Sequence, residues 1–382
     1  MIFKELDGGL SVIDNLKVAG AKEGKYGVAV IVSENSDASA VFTSNKIVAA
    51  PVIYTKKVVE KGKVSAVFVN SGNANCFTGN QGIEDCESLV ELVSKELNIP
   101  KGEIAISSTG VIGRKMPLDV ITGVASKVFS SLGNKPEDSL AAANAIMTTD
   151  KIPKQCALEV TLTNGEKVKI AGITKGSGMI APNMGTMLSF ITSDAAIDQK
   201  LLQQFLSEIV EDTFNMISVD GDTSTNDMVS ILANGMAENT PVTAEGEDYD
   251  TFRQALYQVL MTLTKMLAKD GEGASKMLEC TCSGAPDQDT AIIIAKSVIC
   301  SPLFKCAMFG EDANWGRILC AIGYADAEFD INKVDVDLAS SKGTIAVCRN
   351  AAGVDFSEEK AKEILEEDEI YINIDLHQGE AS

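Results

Sequence analysis

Lys175-Gly176-Ser177-Gly178-Met179-Ile180-Ala181-Pro182-Asn183-Met184-Gly185-Thr186-Met187-Leu188 lies between two β-type runs, Val168 to Ile173 and Met187 to Thr192. Gly176, Gly178 and Ala181 have the spacing of a dinucleotide-binding fingerprint. The physics rejects that reading. A pyrophosphate loop opens a helix whose N-terminus faces the phosphates, whereas Pro182-Asn183 interrupts here and a strand pattern follows Thr186. The glycines then have another use: they let the backbone turn tightly and approach another group, and Gly185 removes the Cβ beside one peptide bond. Attack on the Gly185–Thr186 bond by the Thr186 hydroxyl, followed by hydrolysis, would leave Thr186 as a chain terminus. Its α-amino group, with an ordinary pKa of about 7.7 to 8.0, would then be a general base for its own hydroxyl at neutral pH. An ordinary glycine-rich turn entering a buried strand is the other reading these residues allow.

A base of that kind matters because the chain has one histidine, His377. A Ser/His/Asp triad or a histidine-ligated metal would have to be built on it alone. Cys280-Thr281-Cys282 with Cys300 and Cys306 lacks the paired Cys-x-x-Cys spacing of a zinc site, and no histidine lies near. Buried apolar thiols are the expectation for the nine cysteines, an odd number in a chain without export signals, and disulfides and metal are not expected.

The 382 residues carry 33 basic and 54 acidic side chains, a formal charge of −21. No Lys/Arg cluster interrupts the acidity, which argues against nucleic acid as a partner. Apolar runs such as Ala291 to Ala295 are stopped by charges such as Lys296, far short of the ~18 residues of a spanning helix. Met1-Ile2-Phe3-Lys4-Glu5 is no signal peptide, so neither membrane nor export is expected and the cytoplasm is the expected location. With 45% hydrophobic and 23% charged residues the chain reads as globular, with a large core and about two domains.

Strand-like stretches are Gly27 to Val32, Val52 to Tyr54, Val64 to Val69, Ile104 to Ile106, Leu158 to Leu162, Met228 to Ala233, Ala291 to Ala295 and Val334 to Leu338, besides the two that flank the glycine turn. Helical spacing predicts one helix through Cys86, Leu89, Val90, Val93 and Leu97. A second runs from Ile197 to Val210 behind a cap at Asp194, and a third from Phe252 to Leu267. Ala237 to Asp250 reads as a solvent loop. The fold class is α/β, layered in the α+β manner.

Six further motifs stand out: Asn70-Ser71-Gly72-Asn73-Ala74-Asn75, Ser108-Thr109-Gly110-Val111-Ile112-Gly113, Met147-Thr148-Thr149-Asp150, Asp220 to Asp227, Asp270-Gly271-Glu272-Gly273-Ala274 and Asp312 to Arg317. Asp220 to Asp227 is not a calcium loop, since the sixth position is Thr225 and the twelfth Ile231; a polar turn satisfied by its own bonds fits better. Asn70 to Asn75 reads as a turn after a strand ending at Val69, or as an anion-binding nest. Asn314 to Arg317, with the single tryptophan Trp315, is as much a structural corner as a ligand contact.

Together with the glycine turn, these motifs resemble the ornithine acetyltransferase family, the glutamate N-acetyltransferases of the cyclic arginine pathway, over nearly the whole chain. Relatives usually carry Ala-Thr where this chain has Gly185-Thr186. The resemblance implies a self-cleaving fold of the N-terminal-nucleophile type, shared with the aminopeptidase superfamily. It implies a cut into an α chain, 1–185, and a β chain, 186–382, assembled as α2β2. The implied reaction passes acetyl from N-acetylornithine through Thr186 to glutamate, without metal or organic cofactor; acetyl-CoA is a further co-substrate in some members.

By the same resemblance Thr109 and Gly110 form the oxyanion hole, and Thr149, Lys175, Thr186 and Glu272 contact the substrate. In a chain this acidic, a substrate carboxylate needs local positive charge, and Lys175, at the edge of the glycine turn, is the best candidate. Glu272 between two glycines would receive an amine. Family members usually continue past the strand Tyr371 to Leu376 with a further turn and strand carrying an Ala-Trp-Gly-Cys-Asp-Leu element, and a native mass above 40.4 kDa would show that this chain does too. An aminopeptidase or amidase with the same threonine is the alternative chemistry, and a non-catalytic amino-acid-binding protein the alternative class.

Overall fold

The computed structural model describes residues 3–181 and 187–382. Gly185 and Thr186, with residues 182–184, lie outside the described residues. The chain forms two compact units, one of Met1–Ile217 with Gly221–Glu272, the other of Ser218–Asp220 with Gly273–Ser382. The first unit therefore includes chain on both sides of the expected 185/186 junction.

In the first unit the strands are β1 (Phe3–Glu5), β2 (Lys17–Glu23), β3 (Tyr26–Phe42), β4 (Lys63–Asn73), β5 (Ile104–Val111), β6 (Lys154–Thr161), β7 (Lys167–Lys175), β8 (Leu188–Ser193) and β9 (Met228–Ala233). They make one sheet in the order β1-β6-β7-β8-β9-β3-β4-β5, with β2 also paired to β3. Its pairs are antiparallel except β4 with β5 and β8 with β9. Long β3 does two jobs. Before an irregularity at Val32/Ser36 it pairs with β2 and β4; after it Ser36 and Asp37 still pair with β4, and Asp37 to Phe42 pair with β9. The strand alternation is read out in packing: Ala29, Ile31, Val67, Val69 and Ala105 share one buried cluster with Ala171, Ile173, Leu188 and Phe190, so two halves of the sheet face each other across it. Val28, Val30, Ala66, Phe68, Ile104 and Ile106 point to the opposite face, beneath α2 (Asn80–Leu97) and α3 (Leu118–Ser130).

Four other helices finish this unit around the same sheet. The short helix α1 (Ala50–Val59) precedes α2, α4 (Pro136–Ile146) lies against β2 and β3, and α5 (Gln199–Glu211) and α6 (Glu247–Lys269) cover the β3 and β6–β7 regions. Phe205 anchors that cover, stacking on Phe252 with ring centroids 6.1 Å apart.

The second unit has β10 (Met277–Ser283), β11 (Asp335–Ser340), β12 (Gly343–Arg349), β13 (Ala352–Gly353) and β14 (Glu369–Asp375), in the order β10-β14-β11-β12-β13. Helices α7 (Gln288–Cys300), α8 (Pro302–Phe309), α9 (Trp315–Gly323) and α10 (Glu358–Leu365) contribute to its core, with Trp315 packed at its margin as a structural corner. Among the described residues no single helix is long and apolar enough to cross a membrane.

The mixed α/β expectation holds, with four local corrections. Val52 to Tyr54 and Ala291 to Ala295 are helical, inside α1 and α7. Both runs are too short to separate strand from buried helix by composition, and their flanks decide: Pro51 in a first turn, and Asp287 accepting from the Thr290 amide at 2.8 Å. The cap of α5 is Asp198, whose side chain accepts from Lys200 N, not Asp194, which instead accepts from Lys169 N. In the loop read at 237–250, Asn239 and Val242 are buried, and residues 247–250 already belong to α6.

Candidate active site

The β4–β5 pair builds the first wall. Parallel register sets Ser71 beside Thr109 and Gly72 beside Gly110, and both strands run further than the sequence suggested, taking in Asn70 to Asn73 and Ser108 to Gly110. Gly110 has a φ of +129°, and a Cβ on it would strike the Gly72 backbone and come within 2.6 Å of Asn73 N, so only glycine fits here. Buried side chains lock the two strand ends together. Ser108 Oγ donates to Asn70 Oδ1 at 2.6 Å, and Asn226 Nδ2 donates to the carbonyls of Ala74 (2.6 Å) and Ser108 (2.9 Å).

Lys175, the last residue of β7, supplies the charge. It is 2% exposed, and its ammonium donates to Thr148 Oγ1 at 2.8 Å and Thr109 Oγ1 at 3.4 Å, with Asp150 Oδ2 3.7 Å away. Asp150 is itself saturated: it accepts from Lys154 Nζ (2.8 Å), Gly176 N (2.6 Å) and Thr148 N (3.0 Å). Lys154 is fully buried and also reaches Asp270 Oδ2 at 2.6 Å. Two ammoniums and two carboxylates thus sit together in the interior, where each would be costly alone. Burial pushes the Asp150 carboxyl up, but Lys175 and Lys154 outweigh it and hold the group at about 2. Burial pushes the Lys175 ammonium down, with Asp150 opposing.

Asp270 carries the network to the glycine turn, since its carbonyl accepts from Ser177 Oγ at 2.8 Å. Glu272 N donates to Ser177 O at 2.9 Å, and its carboxylate lies so close to Gly178 that a Cβ there would collide with it. On the other side, Asp227 is 1% exposed and its Oδ1 accepts from the Met187 amide at 2.7 Å. Burial drives this carboxyl well above its usual range, against the Met187 amide and the Lys175 ammonium. The stretch read as a self-satisfied turn therefore does more: Asn226 and Asp227 bond outward, to β4, β5 and the start of β8.

Of the residues expected from sequence, Thr109, Gly110 and Lys175 come together. Glu272 lies at the glycine turn and is exposed; Thr149 is exposed too, and its neighbour Thr148 is the one bonded to Lys175. Gly185 and Thr186 lie outside the described residues. Thr148, Asp150, Lys154, Asp270, Asn226 and Asp227 were not picked out. Five of them stand inside quoted motifs, so their positions were visible without their roles; Lys154 gave no signal, being one lysine at the head of a strand pattern.

Wider comparison starts from these same motifs. The ArgJ family pattern matches residues 15–382. The chain belongs to the ArgJ family. The arginine biosynthesis bifunctional protein ArgJ of Caldanaerobacter subterraneus subsp. tengcongensis is 45% identical over 364 residues, covering 95% of this chain and 89% of that protein. The glutamate N-acetyltransferase of Methanocaldococcus jannaschii is 44% identical over 389 residues, covering 98% and 94%. A crystal structure of the Bacillus halodurans ArgJ protein is 43% identical, covers 50% of this chain and 87% of that one, and superposes with a TM-score of 0.47. As an ArgJ-family member the chain is an acyltransferase, in line with the sequence reading.

Proposed function

We propose that this protein transfers an acetyl group from N2-acetylornithine to glutamate through an acetyl ester on Thr186. In this reading the precursor cuts itself between Gly185 and Thr186, and chains 1–185 and 186–382 stay assembled, as α2β2, in the cytoplasm. The observation that carries the reading is the Lys175 ammonium, buried against the Thr109 hydroxyl at the end of the strand that leads into the glycine turn. Family membership supports the rest.

The freed Thr186 hydroxyl attacks the acetyl carbonyl with its own amine as base, and negative charge develops on the carbonyl oxygen. Thr109 and Gly110 receive that charge; preorganised donors of this kind lower a barrier by roughly 3 kcal/mol each. Lys175 places a cation beside them in a dry site, where its field is strong. Glu272 at the mouth of the turn takes the ornithine side-chain amine. Ornithine leaves, glutamate enters, and its amine resolves the ester in a double displacement. No metal or organic cofactor takes part; acetyl-CoA is a second acyl donor to try.

Acetylornithine with an isotopically labelled acetyl group, quenched in acid and followed by peptide mass spectrometry, tests the scheme. One labelled acetyl on Thr186 is expected, passing to glutamate when glutamate is added. Label appearing as free acetate under saturating glutamate would convert the protein to a hydrolase.

A further inference from the structure

We propose that Lys154 is a positioning residue for acetyl transfer: by occupying Asp150 it leaves the Lys175 ammonium on the Thr109 and Thr148 hydroxyls and open to the substrate, instead of closed into an ion pair with Asp150. The inference rests on the reading above, in which Lys175 and Thr109 act together on the substrate. It concerns a side chain sealed from solvent that acts only through its neighbours.

The Lys154 ammonium uses all three of its hydrogens inside the protein, on Asp150 Oδ1 (2.8 Å), Asp270 Oδ2 (2.6 Å) and the Ile152 carbonyl (3.4 Å). Apolar side chains of similar volume are often as stabilising as a buried ion pair, so stability alone is a weak reason for the charges of Lys154, Lys175, Asp150 and Asp270 in the interior. The geometry at Asp150 supplies another. Its Oδ1 accepts from Lys154 and from Gly176 N (2.6 Å), and its Oδ2 from Thr148 N (3.0 Å). Lys175 Nζ stands 3.7 Å from that same Oδ2, too far for a hydrogen bond, and reaches Thr148 Oγ1 at 2.8 Å and Thr109 Oγ1 at 3.4 Å instead. Two ammoniums compete for one carboxylate, and Lys154 holds it.

Removing Lys154 tips that competition. Asp150 loses its closest cation, and a buried carboxylate without a counter-charge is costly, so the Lys175 ammonium closes on it. The Lys175 charge is then neutralised by Asp150 rather than offered to the substrate, and the bond to Thr109, the longer of its two, is the first to be given up. The groups facing Lys175 are Asp150, Lys154 and Asp227, with Thr109 and Thr148 as its hydrogen-bond partners. Burial pushes its ammonium down, Asp150 and Asp227 oppose, and the like charge of Lys154 acts in the same direction as burial. Without Lys154, Lys175 keeps its proton to higher pH while its charge becomes less available, a combination that lost packing alone does not produce.

The test compares full-length wild type with Lys154→Arg and with a charge-balanced double variant, Lys154→Met with Asp270→Asn, whose asparagine oxygen still accepts from the Lys151 amide. Acetyl transfer from acetylornithine to glutamate is followed from about pH 6 to about pH 10. The double variant should raise KM for both substrates about tenfold, lower kcat about tenfold and move the alkaline limb of kcat/KM up by about half a pH unit or more. In a Lys175→Met background the same two substitutions should cost less than about threefold more, because no ammonium is left to place. Constants of the double variant within about threefold of wild type, or a loss that adds in full to that of Lys175→Met, overturns the proposal. If the double variant does not match the wild-type circular dichroism, Lys154→Arg decides: it keeps the charge and the donors, so kcat/KM within about tenfold of wild type is expected, and a larger loss overturns the proposal. A wild type that transfers no acetyl removes the parent reading as well, and so is told apart from failure of Lys154 alone.

Discussion

The Lys175 ammonium donates to the hydroxyl oxygen of Thr109, 66 residues away in the chain and 3.4 Å away in space. An ammonium has no lone pair, so the Thr109 hydrogen cannot point back at it. That hydrogen is left to be given to a third group, which is what an oxyanion donor requires.

Removing the Thr109 hydroxyl therefore removes a donor used mainly when charge develops. Thr109→Ala is expected to lower kcat for acetyl transfer by about 100- to 1,000-fold with little change in KM, and Thr109→Ser to restore most of it. Lys175→Met loses substrate attraction as well, so KM should rise while kcat falls. Steady-state kinetics with acetylornithine and glutamate separate the two patterns; an equal rise of KM in Thr109→Ala would assign it to ground-state binding.

The second expectation concerns stability. Lys154 is enclosed between Asp150 at 2.8 Å and Asp270 at 2.6 Å, all three side chains being buried. Lys154→Met fills the space but leaves two interior carboxylates short of a counter-charge, and a loss of about 3–5 kcal/mol is expected. Urea unfolding of the wild type and the variant measures it. A loss below about 1 kcal/mol would put the pair in the class of weak surface bridges.

Acid should act through Asp150. Its folded-state pKa, about 2, lies below the roughly 3.9 of an unfolded aspartate, so it binds fewer protons when folded. Its stabilisation is complete above the unfolded value and disappears as pH falls through the folded one, an effect on the order of 2–3 kcal/mol. Stability measured from about pH 5 down to about pH 2 should drop less steeply in Asp150→Asn than in wild type, the variant being less stable at the upper end. Parallel slopes would mean other carboxyls govern acid unfolding.

What the sequence made legible was local. The β-branched runs of β3, β4, β7, β8 and β9 and the helical stripes of α2, α5 and α6 stand out because each buries a continuous face. Gly110 was visible as a motif member, yet its need for a positive φ and its approach to Gly72 come only from pairing β4 with β5. The charge network was illegible for the same reason: Lys154, Asp150, Lys175 and Asp270 are joined by tertiary placement, and no spacing along the chain encodes a contact between residues 154 and 270. Short apolar runs failed in the opposite way, since Ala291-Ile292-Ile293-Ile294-Ala295 carries strand composition and the Asp287 cap outvotes it.

The cysteines give a last check that separates packing from composition. All nine are free, but the expectation of buried thiols holds for only some: Cys300, Cys306 and Cys320 are exposed on α7, α8 and α9, whereas Cys76, Cys86, Cys282 and Cys348 are buried. Burial also pushes the thiols of Cys86, Cys156 and Cys282 up to about 12, so little thiolate forms at mild pH. Brief alkylation of native protein near pH 8 should label Cys300, Cys306 and Cys320 and spare Cys86, Cys156 and Cys282 until denaturant is added. Access and ionisation together protect Cys86 and Cys282, and ionisation chiefly protects the half-buried Cys156, so labelling of the first two should lag by far more than exposure alone would give. If Cys86 reacted as fast as Cys300 in the native protein, the packing of α2 against the β4–β5 face described above would be wrong.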